Sequence, residues 1–179
     1  MFMLVAPLIG LIVGRLAGGR VDRLGAIRFR WAGLAVAGLL AQVALFSTPL
    51  GDALGSLAPV AYVVTTALVL AVVLRNLDLP AVGRPGLALV ALGSLSNLAA
   101  IVSNGGYMPA DPGALDAAGT TIGGGYTNSI VVASPALRPL TDIFAIPAWI
   151  PLASVFSVGD VLIGVGIAAA IVAGMRRGG

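Results

Sequence analysis

The sequence contains no cysteine, histidine, glutamate or lysine. Without cysteine, the chain has no disulfide and no thiolate site. Without histidine, it lacks both the commonest general base and the commonest metal ligand. Any acid–base or metal chemistry would therefore depend on the seven aspartates alone. This composition weighs against an enzyme, and it predicts neither a metal site nor a cofactor.

Charge is also scarce, because only 9% of the 179 residues are charged and 59% are hydrophobic. An ordinary soluble domain carries about 25% charged residues. Apolar runs of membrane-spanning length recur along the chain, so the sequence predicts an integral membrane protein that is solvated by the lipid bilayer. The net charge of +3 comes from arginines that lie between these runs. That placement excludes the basic face of a nucleic-acid-binding module.

Five apolar segments predict an all-α membrane protein, a five-transmembrane-helix bundle that forms a single integral membrane domain over residues 1–179. The predicted spans cover residues 2–16, 31–46, 59–74, 87–102 and 158–175. No positive charge precedes the first span, whereas a secretory signal carries its basic residues before the apolar core. We therefore expect the first span to be retained, with thinned or tilted surroundings to match its short length.

The distribution of arginines predicts the orientation of the bundle. Nine of the ten arginines follow spans one, three and five, and Arg138 is the exception. Five of the seven aspartates lie on the same side as Arg138. Because cytoplasmic loops are enriched in arginine and lysine, the N-terminus is expected outside and the C-terminus in the cytoplasm. Residues 103–157 then form a long extracytoplasmic cap.

Small residues recur at four-residue spacing on three of the predicted spans. They are Ala6, Gly10, Gly14 and Gly18 on the first, Gly33, Ala37 and Ala41 on the second, and Gly166, Ala170 and Gly174 on the fifth. Such faces let helix backbones approach closely in a membrane. We interpret them as packing within the bundle. Contact with a second copy in a homo-oligomer, or with another subunit of a membrane complex, is the alternative.

Three polar side chains within the spans, Gln42, Tyr62 and Asn97, are expected at a similar depth towards the extracytoplasmic leaflet. Buried amides need hydrogen-bond partners in hydrocarbon. One interpretation is hydrogen bonding between helices, which contributes about 0.6 kcal/mol per contact on average. The other is a pocket for a polar ligand or a lipid headgroup.

The fifth span begins with the pattern of a capping box, in which Ser157 and Asp160 are three residues apart. A carboxylate in the first turn also interacts favourably with the helix dipole. The pattern predicts that Asp160 caps the helix. Proton transfer or cation binding by Asp160 is the alternative.

The sequence Asn104-Gly105-Gly106-Tyr107 follows the fourth span directly. Asn-Gly and Gly-Gly favour positive φ, so the motif predicts a tight turn. Tyr107 is then expected at the level of the lipid headgroups. Alternatively, the backbone amides of the two glycines bind an anionic headgroup.

Residues 140–156 are apolar, but prolines interrupt them, which disfavours a continuous transmembrane helix. The segment predicts a short helix in the membrane interface or a re-entrant piece. Thr141 is the expected N-cap of this helix, with Asp142 in its first turn. We expect the segment to form a lid over the three polar side chains of the spans.

Three motifs carry a resemblance to a known family. They are Asn104-Gly-Gly-Tyr-Met-Pro109, Asp142-Ile-Phe-Ala-Ile-Pro147 and Val155-Phe-Ser-Val-Gly-Asp160. In this order they resemble a family of small bacterial multi-pass membrane proteins, domain of unknown function 5317. The resemblance covers most of the chain, and it implies a location in the bacterial cytoplasmic (inner) membrane. It implies no established activity and assigns no catalytic residues.

These patterns lead us to expect a non-enzymatic protein that binds a lipid, isoprenoid or quinone-like molecule near the outer leaflet. The candidate ligand-binding residues are Gln42, Tyr62, Asn97, Asn104, Gly105, Gly106, Tyr107, Asp142 and Asp160. An accessory or assembly subunit of a larger membrane complex is the alternative hypothesis. A small transporter is a further alternative, although five spans do not divide into two equal inverted repeats.

Overall fold

The structure, a computed structural model, describes residues 5–123 and 126–177 and is mostly helical. Its helices are α1 (Val5–Leu16), α2 (Ala32–Ser47), α3 (Leu50–Leu54), α4 (Ala58–Arg75), α5 (Arg84–Ser103), α6 (Pro112–Ala118) and α7 (Val158–Arg177). Short 3-10 turns cover Val21–Ala26, Gly55–Leu57 and Arg138–Leu140. The strands are β1 (Met108–Pro109), β2 (Ser129–Ile130), β3 (Phe144–Ile146) and β4 (Ser154–Phe156).

Three helical segments are long and apolar enough to cross a membrane, namely Leu50–Arg75, Arg84–Ser103 and Val158–Arg176. Helix α2 is shorter, with 16 residues, and the described part of α1 has 12 residues. At about 1.5 Å per residue α2 extends only about 24 Å, against a hydrocarbon core of about 30 Å. A helix lies at each of the five predicted positions. Residues 2–4 of the predicted first span lie outside the described residues.

The helices at the five predicted positions pack against one another in the order α2, α4, α5, α7 and α1. Glycines of α1 set its contact with α7. Gly10 lies against the backbone of Ala168, and Gly14 lies against the side chain of Met175. Both sequence numbers increase along this interface, so α1 and α7 run parallel.

Glycines at two levels bring the backbones of α5 and α7 together. A Cβ atom on Gly86 would lie 3.0 Å from the carbonyl oxygen of Gly166, and one on Gly93 would collide with the carbonyl oxygen of Gly159. The pair is antiparallel and depends on the absence of side chains at these positions. Packing within the bundle, as predicted from the small-residue spacing, is therefore confirmed for the first and fifth spans. A Cβ atom on Gly33 of α2, in contrast, would meet no atom of another element within 4 Å among the described residues.

Hydrogen bonds tie the loop after α1 to the ends of α4 and α7. The Arg23 Nη1 donates to the carbonyl oxygens of Met175 at 3.3 Å and Arg176 at 2.8 Å. Asn76, which is completely buried, accepts from the Arg30 amide at 2.8 Å and donates to the Arg30 carbonyl at 2.9 Å. The arginine-bearing segments after α1, α4 and α7 therefore lie together at one end of the bundle.

The opposite end carries a small cap of strands and one short helix. Strand β1 pairs with β2 in parallel, and Ala110 beyond β1 forms a parallel bridge with Asp142. Strands β3 and β4 form an antiparallel hairpin, on which the rings of Phe144 and Phe156 stack with centroids 5.6 Å apart. Helix α6 packs against this hairpin.

The short helix predicted for residues 140–156 is wrong, because the segment forms the β3–β4 hairpin. The Thr141 hydroxyl donates to a carbonyl of the preceding 3-10 turn and caps no helix. Asp142 pairs with the chain beyond β1 instead of lying in a first helical turn. Aromatic and β-branched residues dominate both strands, and they favour extended structure. The prolines that ruled out a long helix lie between the two strands.

A buried hydrophobic cluster holds the cap on the bundle. It consists of Leu45, Ala58, Tyr62, Ala100, Ile101 and Met108. These residues come from α2, α4, α5 and β1, so the cap packs on three helices at once. Because this cluster joins the cap to three helices, the cap is an integral part of the fold.

Candidate functional site

Asn97, Ser157 and Asp160 form a hydrogen-bonded network between α5 and the start of α7. The Asn97 Nδ2 donates to Asp160 Oδ1 at 2.8 Å, and the Ser157 hydroxyl donates to Asn97 Oδ1 at 2.9 Å. The Asp160 amide donates to Ser157 Oγ at 3.1 Å, and the Ser157 amide donates to Asp160 Oδ2 at 3.0 Å. These reciprocal bonds are those of a capping box. The predicted cap at Asp160 is therefore confirmed.

Close packing holds this network in place. Ser157 is completely buried. A Cβ atom on Gly159 would collide with Asn97 Oδ1, so α7 begins directly against the Asn97 amide. The network satisfies its own polar atoms, as buried polar groups in folded proteins generally do. Asn97 and Asp160 are 63 residues apart in the chain, and only the fold brings them together.

Asp142 lies buried close to this network, with 7% of its surface exposed. Its amide donates to the Pro109 carbonyl, and its carbonyl accepts from the Asp111 amide, both at 3.0 Å. Its side-chain Oδ1, however, is buried without a hydrogen-bond partner among the described residues. Burial, with the negative charge of Asp160 in addition, raises the pKa of Asp142 to about 7. A buried acceptor of this kind requires a proton or an outside donor.

Tyr62 lies in an aromatic cluster below the cap. Its ring meets Phe46 edge-on with centroids 5.0 Å apart, and Tyr126 of the cap stacks on Phe46 at 5.9 Å. The Asn128 side chain lies within hydrogen-bonding reach of the Tyr62 hydroxyl. Tyr62 is therefore a packing residue that joins α4 to the cap, and its polar end faces cap residues.

Gln42 belongs to a different helix interface. Its Nε2 donates to the hydroxyls of Thr65 at 3.3 Å and Thr66 at 3.2 Å, which joins α2 to α4. Asn97, in contrast, joins α5 to α7. Both amides thus make hydrogen bonds between helices. The predicted polar layer is divided between two interfaces, and it does not form one continuous site.

The motif after α5 forms the predicted turn. Gly105 and Gly106 have φ of +71° and +89°, which side chains rarely adopt. The Asn104 side chain bonds Ala136 twice, by donating to its carbonyl and accepting from its amide, both at 2.9 Å. The Gly106 amide already donates to the Ile101 carbonyl. The turn therefore fastens the cap to α5, and one of the two glycine amides is occupied within the protein.

Two cavities open in the cap. One of about 320 Å³ is lined by Tyr107, Tyr126 and neighbouring residues of β2, and it contains the candidate residue Tyr107. The Tyr126 hydroxyl is buried without a hydrogen-bond partner among the described residues. A second cavity of about 450 Å³ lies beside the ion pair between Asp111 and Arg138, whose closest atoms are 3.1 Å apart. The Arg138 guanidinium and the amides of α6 hold the pKa of Asp111 below its usual range.

The region around Asp142 and Asp160 has a negative character, but the described residues form no set of metal ligands. Within residues 5–123 and 126–177, no group of three or more His, Cys, Asp or Glu side chains lies together. Asp142 and Asp160 give the buried region a negative character, and Arg138 pairs with Asp111 outside it. The region therefore favours a neutral or cationic hydrogen-bond donor over an anion.

Several contributors to the site have no signal in the sequence. Ser157 was expected only to cap α7, whereas its hydroxyl also holds Asn97. Asn128, whose side chain lies within hydrogen-bonding reach of the Tyr62 hydroxyl, is in a cap segment that no motif marks. In the sequence it resembles an ordinary loop residue, and only the fold places it beside Tyr62.

Comparison with protein families supports the resemblance read from the three motifs. The profile of a family of unknown function, DUF5317, matches residues 26–172, and this range includes Asn97, Asp142 and Asp160. Comparison with curated proteins and with solved structures gave no match. The family match extends over most of the chain, from the loop before α2 into the last turns of α7. The protein is therefore a member of the DUF5317 family, whose function is unknown.

Proposed function

We propose that this protein is a five-span protein of the bacterial cytoplasmic membrane, with its N-terminus outside and its C-terminus in the cytoplasm. Three long apolar helices support a membrane location. The parallel direction of α1 and α7 agrees with an odd number of alternating spans. The arginine-bearing segments at one end of the bundle agree with the positive-inside rule. The 16-residue helix α2 then requires local thinning of the bilayer.

Within this topology, the proposed function is the non-enzymatic binding of an amphiphilic molecule of the lipid, isoprenoid or quinone-like class near the outer leaflet. The observation that carries the proposal is the buried Asp142 Oδ1, which has no hydrogen-bond partner among the described residues. Asp142 belongs to the cap, and its carboxylate is close enough to Asp160 of the Asn97–Ser157–Asp160 network for the two charges to interact. Leaving such an acceptor unpaired costs about 1–3 kcal/mol, which a bound donor would recover.

The surroundings of Asp142 narrow the chemistry of the head. The negative charge of Asp160 acts on Asp142, so a phosphate or carboxylate would be repelled. A hydroxyl, as in a quinol or an isoprenoid alcohol, or an ammonium group would instead donate to Oδ1. The proposal therefore specifies an amphiphile whose head carries a hydrogen-bond donor.

Native mass spectrometry with lipid extraction tests this proposal. We expect the purified protein to retain a specific amphiphile, Asp142→Ala to lose most of it by removing the acceptor, and Asn97→Ala to lose part of it by releasing Asp160. Asp116→Ala is the matched control, because Asp116 is an exposed cap residue and the side-chain change is the same. Finding only bulk lipid, with no species lost in either variant, would refute the proposal.

A second candidate function, that of an accessory subunit, is favoured by the surface of α2. The stripe of Gly33, Ala37 and Ala41 is exposed. A Cβ atom on Gly33 would meet no atom of another element within 4 Å among the described residues. Large apolar side chains around it, such as Leu40 and Val43, are also exposed. Small-residue stripes are typical helix-docking faces in membranes. A stable monomer in mild detergent, with no crosslinked partner in cells, would count against this function.

A further inference from the structure

A groove on the outer surface of the bundle, between α1 and α7, lies apart from the proposed outer-leaflet site. Its volume is about 680 Å³. Ile9 and Val13 form one wall, and Val165, Ala169 and Val172 form the floor and the other wall. Among the described residues of its lining, Arg176 is the charged one. The groove is therefore an apolar channel with one cation at its end.

The lining positions on α7 form one continuous stripe that ends at Arg176. From Val165 to Arg176 the helix rises by roughly 16 Å. This is close to half of a hydrocarbon core of about 30 Å, which is the depth of one leaflet. With the proposed orientation, the groove runs from the cytoplasmic membrane surface to the bilayer centre.

The charges at the mouth of the groove leave Arg176 free for an anion. Asp22 is the nearby acid of the loop after α1, and it is engaged by Arg20 at 2.7 Å. Among the described residues, no acidic side chain pairs with Arg176. Arg23 also lies at the mouth, since it donates to the Arg176 carbonyl at 2.8 Å. The helix C-terminus, which would repel an anion, is thus covered by a guanidinium.

We infer that the α1–α7 groove binds a phospholipid of the cytoplasmic leaflet that has an anionic headgroup. Its acyl chain lies along the alanine and valine floor, and its phosphate faces Arg176. One of the two acyl chains of the phospholipid lies in the groove, and the other stays in the surrounding bilayer. The exposed Arg176 at the end of the groove favours an anionic headgroup over an apolar partner helix. This inference rests on the proposed orientation, but it is independent of the ligand at Asp142.

The test uses the full-length protein reconstituted in vesicles with equal amounts of phosphatidylglycerol and phosphatidylethanolamine. After extraction into mild detergent, native mass spectrometry measures the lipids that remain bound. We expect phosphatidylglycerol to be retained preferentially. Arg176→Gln should lower that preference about fivefold, the equivalent of about 1 kcal/mol for one arginine at a membrane surface. Ala169→Phe, which fills the groove, should release the bound lipid altogether.

Two matched controls separate the groove from general effects. Arg138→Gln removes the same charge at the other end of the bundle, and Ala37→Phe adds the same bulk on an exposed face of α2. Neither should change phosphatidylglycerol retention. Equal losses in Arg138→Gln and Arg176→Gln, equal retention of both lipids, or a second copy of the chain crosslinked through the groove would overturn the inference. The groove variants should keep the ligand at Asp142. Failure of this inference can therefore be distinguished from failure of the proposed function.

Discussion

At the scale of single residues, three aspartates of this protein lie in different environments and have different roles. Asp111 accepts from two amides at the start of α6 and pairs with Arg138, and both contacts lower its pKa. Asp160 shares its oxygens between Asn97 and Ser157. Asp142 lacks such partners for Oδ1, and burial raises its pKa to about 7. In a chain without glutamate or histidine, Asp142 is the side chain best placed to change its protonation state near neutral pH.

Asp142 gives the protein a defined pH dependence. Its pKa rises from 3.8 to about 7 on folding, so the folded state binds a proton that the unfolded state releases in this window. The free energy of unfolding should fall as the pH rises from about 4 to about 7, by at most about 4 kcal/mol. Asp142→Asn should remove this slope, as measured by unfolding in detergent across the window. The exposed Asp116→Asn should keep the slope of the wild type, and an unchanged slope in Asp142→Asn would contradict the assignment.

At the scale of elements, the interface between α5 and α7 organises the region around the candidate site. Gly86 and Gly93 let the two backbones meet, and Gly159 admits the Asn97 amide at the upper end of the interface. In the proposed membrane location, close approach of this kind replaces the hydrophobic driving force that is missing in lipid. The capping box of α7 therefore forms against α5, and the helix cap becomes part of the polar network.

A single methyl group at Gly93 tests this dependence. Gly93→Ala places a Cβ atom against the carbonyl oxygen of Gly159, so it should lower the free energy of unfolding by about 1–3 kcal/mol. Gly33→Ala is the matched control, because nothing lies within 4 Å of its Cβ position among the described residues. It should be neutral or raise stability by up to about 1 kcal/mol through helix propensity. Thermal unfolding in one detergent measures both, and equal stabilities would refute close packing at Gly93.

At the scale of the whole molecule, the two ends of the bundle differ in structure and in charge. One end gathers the arginine-bearing loops, which Asn76 and Arg23 bind to the ends of α4 and α7. The other end carries the cap of strands on the cluster around Tyr62. The polarity of the molecule is thus built into its packing. The proposed orientation uses this asymmetry, with the arginine end in the cytoplasm.

The absence of cysteine makes the orientation directly measurable. Asp116→Cys places a thiol on the exposed face of the cap, and Arg28→Cys places one in the exposed loop after α1. In intact cells, a membrane-impermeant thiol reagent should label Asp116→Cys, and it should label Arg28→Cys only after permeabilisation. The unsubstituted protein supplies an unlabelled background. The reverse labelling pattern would invert the proposed topology.

The sequence correctly predicted features that depend only on residues close together in the chain. Hydropathy predicted a helix at each of the five positions, and the three-residue spacing of Ser157 and Asp160 predicted the cap of α7. The turn at Gly105 and Gly106 followed from the Asn-Gly-Gly sequence that they form with Asn104. The short helix expected near Thr141 was wrong, because its prolines were compatible with either a helix or a hairpin. Pairing with the chain beyond β1 decided between them.

By itself, the sequence determined the family and the positions of the helices, because apolar length and motif spacing are local properties. Only the tertiary structure decided which polar groups meet. It joined Asn97 to Asp160 across 63 residues, assigned Gln42 to another interface, and left Asp142 Oδ1 without a partner among the described residues. Such contacts depend on how helices and strands distant in the chain pack together, and no local pattern records them.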